Sequence, residues 1–137
     1  MASQDKHLCA CVQIGCMWKI KLATLESILL AARNTYPNEF MSLLGGSRQA
    51  KNIDELVVVP AVFGETFTLV QTHLIPFDQR IVGSVHSHPS GRASPSAEDL
   101  NAFSAFGDIH LIVGEPFALD SVRAYTVAGK AVRLQVV

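Results

Sequence analysis

Residues 86–99 read H-S-H-P-S-G-R-A-S-P-S-A-E-D, which is His-x-His, seven residues, then Ser-x-x-Asp. Just before them, Arg80-Ile81-Val82-Gly83-Ser84-Val85 is an apolar, β-branched run that reads as a buried strand. Strand residues two apart share a face and lie roughly 6.5 Å apart. His86 and His88 therefore look toward one point from the strand's carboxyl end. Pro89 stops the ladder because it has no N–H to donate. Residues 90–94 are small and polar and read as a loop. Residues 95–99 then open a helix whose apolar face is expected to carry Leu100, Phe103 and Phe106. A seven-residue loop spans up to about 24 Å, so Asp99 can return to the histidines.

Two imidazoles and a carboxylate are a donor set suited to zinc, and three protein ligands with a fourth position open is the catalytic arrangement. Each half of the pattern has a plainer reading. His-x-His on a strand is common, and Ser96 with Asp99 also fits a capping box at a helix start. Together, at this spacing, they point to one Zn2+ held by His86, His88 and Asp99.

Working outward, residues 22–34 have helical periodicity in Leu25, Ile28, Leu29 and Ala32, and the helix closes at Tyr36-Pro37-Asn38. Strands are predicted at residues 41–48, 55–63, 67–73, 109–113, 122–127 and 131–137. The Ala128-Gly129-Lys130 turn makes the last two a hairpin. The fold class is mixed α/β (α+β), one domain with a curved, largely antiparallel sheet and a helix on either side. His73 and His110 sit in apolar strands and read as structural histidines with one hydrogen-bond partner each; Phe103 and Phe106 read as core. A zinc hydrolase also needs a carboxylate to take a proton from water. Glu26, Glu39, Glu55, Glu65, Glu98 and Glu115 all qualify, and spacing does not rank them.

The chain has 137 residues, about one domain, and is 49% hydrophobic. A net charge of −1 offers no basic field for nucleic acid. No apolar run approaches the roughly 20 residues of a membrane span, and the expected location is cytoplasmic. Cys9, Cys11 and Cys16 all precede residue 17, so no disulfide framework holds the domain. Residues 1–16 have three readings: a small metal cluster with His7, a poor signal peptide, or a flexible extension. The last is preferred, with the domain at residues 17–137 and Met17 a candidate alternative start, a notion that an N-terminus upstream of it in the mature protein would overturn.

At this point the chain resembles the JAMM, or MPN-plus, zinc metalloproteases. Their pattern is an upstream Glu, then His-x-His-Pro, then Ser-x-x-Asp, matched here at Glu39, His86, His88, Pro89, Ser96 and Asp99. The likeness covers residues 19–137 and is greatest to short archaeal members related to the proteasome-lid deubiquitinating subunit. It implies a cytidine-deaminase-like architecture, Glu39 as general base and Ser96 as donor to the oxyanion. It also implies an isopeptidase that removes ubiquitin or a ubiquitin-like modifier, cutting the bond between a C-terminal glycine and a lysine. Ubiquitin-like conjugates would then be partners, along with a homodimer or a proteasome-linked complex. Residues 64–77 are too short for the insertions that select linkage in eukaryotic members, so no linkage preference is implied. Two alternatives stand beside it: a peptidase that processes the C-terminus of a sulfur-carrier protein, and a non-catalytic MPN scaffold.

Overall fold

The computed structural model describes residues 17–57 and 80–137. The chain runs β1 (Met17–Ile20), α1 (Leu22–Thr35), β2 (Met41–Ser47), β3 (Asn52–Val57), β4 (Ile81–His88), α2 (Ala97–Phe103), β5 (Ile109–Gly114), β6 (Val122–Tyr125) and β7 (Ala131–Val136). A 3-10 turn at Leu119–Ser121 leads into β6. The strand predicted at residues 67–73, the second half of the one at 55–63, His73 and the cysteines lie outside the described residues.

Among the described residues the strands form one sheet in the order β1-β3-β2-β4-β5-β6-β7, closed by β1 against β7. Four pairings are antiparallel and three parallel: β1 with β3, β1 with β7, and β4 with β5. The sheet is thus curved to closure, and its antiparallel majority is slimmer than the hairpin pattern suggested. The closing strand β1 is only four residues long and carries no turn signal, so it was not predicted. Trp18 and Ile20 point inward from it and are buried.

One face of every strand meets α1. Leu25, Ile28, Leu29 and Ala32 pack with Trp18, Ile20, Leu44, Ile53, Val85, Leu111, Ala124 and Val132. Those four helix positions are the ones the periodicity picked out. Lys21 at the helix N-cap supplies no side-chain cap, so α1 depends on this packing rather than on its own termini. Truncating Ile28, which is fully buried, to alanine would cost about 2–5 kcal/mol. The opposite face holds a smaller cluster of Leu43, Ile81, Phe103, Phe106 and Ile112.

Helix α2 corrects one detail of the sequence reading. It ends at Phe103, and Phe106 follows in a turn whose N–H donates to the Phe103 carbonyl. Leu100 stays 36% exposed, while Phe103 and Phe106 are buried. A helix of two turns has room for only one deep apolar anchor.

The strand that carries the histidines is placed by two local features. Leu44 faces Gly83 while Gly45 faces Ile81, so β4 holds one extra residue, Val82, a β-bulge. At Gly83 a Cβ would overlap the Ile109 carbonyl oxygen, so only glycine lets β4 and β5 approach.

Candidate metal centre

His86 and His88 leave the C-terminal end of β4 on the same face, and Asp99 meets them from the first turn of α2. The two Nε2 atoms lie 3.0 Å apart. Asp99 Oδ1 is 3.3 Å from His86 Nε2, and Asp99 Oδ2 is 3.2 Å from His88 Nε2. All the donor atoms of this group fall within 4.8 Å of one another. His86 and Asp99 are buried, and His88 is half-buried at the mouth.

Backbone groups orient this trio. His88 Nδ1 lies 2.7 Å from the Arg92 carbonyl, which can only accept, so Nδ1 carries a proton and Nε2 is the nitrogen turned to the cluster. The Ser96 N–H donates to Asp99 Oδ2 at 2.9 Å, and the Asp99 N–H donates to Ser96 Oγ at 3.1 Å. The capping box is therefore present, and the same carboxylate faces both imidazoles. The capping-box reading of Ser-x-x-Asp is borne out, and it leaves Asp99 among the groups that could hold a metal ion.

Charges follow the geometry. Burial alone would raise the Asp99 pKa, but hydrogen bonds to His86 and His88 outweigh it and hold the carboxyl well below its usual range. Burial pulls His88 down, but its bonds to Asp99 and the Arg92 carbonyl, with the nearby charges of Asp99 and Glu39, raise it overall. Displacing the protons these bonds share leaves two imidazole nitrogens and a carboxylate aimed at one point, all of them electron-pair donors. A divalent cation satisfies all three together, and this donor set suits zinc.

The other residues singled out in the sequence fall as follows. Met41 pairs with His86, and the Ser87 N–H donates to the Phe40 carbonyl at 2.9 Å, so the same register carried one residue on sets the Glu39 backbone, just ahead of β2, opposite His88. Of the other carboxylates, Glu55 is engaged by Arg80 at 3.4 Å, Glu26, Glu98 and Glu115 are exposed, and Glu65 lies outside the described residues. Ser96 is exposed at the rim, its oxygen accepting from Asp99 and its own O–H left to donate. His110 is a core histidine, with two partners rather than the one expected. Ser84 Oγ lies 2.8 Å from its Nδ1 and the Gly107 carbonyl 3.0 Å from its Nε2, and its ring stacks on Phe103 at 4.1 Å.

Sequence reasoning missed two parts of this centre. The Arg92 carbonyl is a backbone group in a loop and leaves no sequence signal. Ser87 did leave one: a polar residue in a strand buried along nearly its whole length must find a partner. A cavity of about 500 Å³ lies behind the loop, between Arg92 and Ala93 on one side and Glu115 and Arg123 on the other; none of the three converging side chains lines it.

Residues 21–128 match the model of the prokaryotic homologues of the JAB domain. The chain belongs to that family. A probable metalloprotease of Haloferax volcanii is 33% identical over 121 residues, 82% of this chain and 74% of the relative. Among solved structures, a JAB1/MPN domain protein of Archaeoglobus fulgidus superposes with a TM-score of 0.71 at 39% identity, covering 87% of this chain and 98% of its own. A second, described as the JAMM metalloprotease-like zinc site in the proteasome and signalosome, gives 0.69 at 36%, covering 88% and 98%. A Desulfitobacterium hafniense protein at 21% identity shares the fold, with a TM-score of 0.65. This JAB domain is thus of JAMM metalloprotease type, with a His-His-Asp group able to hold a metal ion. Among its described residues, no helix is long and apolar enough to cross a membrane.

Proposed function

We propose that this JAB domain is a zinc-dependent isopeptidase that releases a ubiquitin-like modifier from a lysine of a conjugated protein. The observation that carries the reading is the convergence of His86, His88 and Asp99 at the end of a strand paired with β2, and the charge of Glu39, two residues before β2, acting on His88 supports its part in it. The likeness to a structure described by its metalloprotease-like zinc site in the proteasome and signalosome supports the metal, and the substrate class follows from the resemblance of the sequence.

In this reading His86, His88 and Asp99 hold one zinc ion, with His88 oriented through Arg92 and Asp99 through Ser96. When bound, such an ion supplies Lewis-acid chemistry, polarising a carbonyl and acidifying water. Glu39 takes a proton from the attacking water and returns it to the lysine amine as the C–N bond breaks. Water thus gives a glycine carboxyl and a free amine. The Ser96 O–H, at the exposed rim, donates to the oxygen on which negative charge develops. An extended, strand-like glycine tail is the substrate geometry this rim suits.

The test is incubation with candidate ubiquitin-like conjugates, with and without chelator, read by mass spectrometry. A released modifier ending in a glycine carboxyl, lost on chelation, is the expected result. Conjugates left intact while a sulfur-carrier precursor is trimmed would instead favour C-terminal processing. A metal-free, inert protein would overturn the reading altogether in favour of a scaffold.

A further inference from the structure

Ser87 stands between the two histidines in the chain, yet its side chain leaves β4 on the opposite face and is fully buried. Its N–H donates to the Phe40 carbonyl at 2.9 Å, and the Phe40 N–H donates to Ser87 Oγ at 2.8 Å. In a regular antiparallel pair two facing residues exchange N–H···O=C bonds. Here one of the two bonds goes to a hydroxyl instead of the Ser87 carbonyl, and β2 begins only at the next residue, Met41.

The Phe40 nitrogen belongs to the rigid peptide plane that also contains the Glu39 carbonyl carbon. Holding that N–H therefore fixes the orientation of the plane and, with it, the place of the Glu39 Cα from which the side chain departs. The far end of the same residue is anchored too, because the Phe40 ring is buried in the inner core. Residue 40 is held at its ring, its carbonyl and its N–H, so Glu39 hangs from an anchored peptide and moves only about its own torsions. The Glu39 charge already acts on His88, the ligand candidate next to Ser87 in the chain.

We infer that Ser87 is a positioning residue: its hydroxyl clamps the Glu39–Phe40 peptide and thereby aims the Glu39 carboxylate at the metal centre. The inference rests on the base function proposed for Glu39. It also gives the middle position of His-x-His a function beyond spacing the two ligands. A carbonyl could pair the Phe40 N–H as well as a hydroxyl does, but it would draw that N–H back into the regular ladder and turn Glu39 with it.

Ser87→Ala and Ser87→Thr in the full chain test this. In Ser87→Ala the Phe40 amide should exchange with solvent at least about tenfold faster while the Leu43 and Leu44 amides are unchanged. On an isopeptide conjugate kcat should fall about 10²-fold, with KM and metal content unchanged. Ser87→Thr, which keeps the hydroxyl, should restore both, and in a Glu39→Gln background Ser87→Ala should cost nothing more. A crystal structure of Ser87→Ala with Glu39 still seated beside His88 would overturn the inference, whatever the activity. So would a loss of kcat matched by loss of metal, which marks a merely structural role. If the wild type cleaves no conjugate, the proposed function fails on its own, and the position of Glu39 in that structure still decides the clamp.

Discussion

Two histidine clusters share the outer face of the sheet, on paired strands: Ser84 faces His110, and two residues on, His86 faces Ile112. In the first, every group has its complement. The Gly107 carbonyl takes the Nε2 proton of His110, and the Ser84 hydroxyl donates to its Nδ1. In the second, two Nε2 atoms compete for one carboxylate, the three groups facing one another at 3.0–3.3 Å. Both are built around buried imidazoles of paired strands, and they differ in their balance of donors and acceptors. That balance separates a structural histidine from one able to serve a metal ion, and it is a property of the fold rather than of either residue alone.

The sharpest way to break this contrast is to exchange the fates of the two clusters. His88→Ala should lose both bound metal and hydrolysis, whereas His110→Gln should keep its metal, as read by metal analysis of the purified proteins. An alanine variant with full metal would erase the distinction. Within the open cluster, Glu39→Gln should retain metal while kcat on a conjugate falls roughly 10²–10⁴-fold. Full activity in that variant would remove Glu39 from the chemistry.

Ser96 allows a finer separation, since it both caps α2 and rims the centre. Ser96→Ala should cost about 1 kcal/mol of stability and Ser96→Gly only a few tenths. Both should lower kcat by about 10²–10³-fold if the hydroxyl serves the oxyanion. Activity that tracks helix stability across the pair would instead assign Ser96 to capping alone.

The closed cluster has a signature in pH. Burial, and the nearby His86, outweigh the Gly107 hydrogen bond and lower the His110 pKa from 6.5 to about 4. The unfolded chain thus takes up its proton first as pH falls, and stability is lost from pH 6.5 down to about 4. The loss is about 3 kcal/mol. Urea melts at pH 7 and pH 4.5 should show that slope in the wild type and a flatter one in His110→Gln. Equal slopes would mean that His110 titrates normally.

What the sequence disclosed was whatever lies close together in the chain. His86, His88, Ser96 and Asp99 fall within one strand-loop-helix unit, where periodicity places each side chain. Helix α1 was legible for the same reason, in the spacing of Leu25, Ile28, Leu29 and Ala32. Glu39 was not, because it reaches His88 only through the pairing of β2 with β4, and family resemblance had to single it out. Nor was closure of the sheet by β1, whose four residues gain meaning only from partners on β3 and β7. Leu100 misled because a helix of two turns buries only one of its apolar positions, Phe103.

The extra residue at Val82 has a consequence for how this protein can vary. A strict two-residue alternation counted from Ile81 would turn His86 toward the inner core; the bulge resets that phase, and both Ile81 and His86 face outward. Beyond it, β4 is registered independently, Leu43 against Ser84 and Met41 against His86. Changes of length upstream can therefore be absorbed before the reset and never reach the histidines. A lineage is free to change the chain length ahead of Ile81 while His86 and His88 keep their bearing.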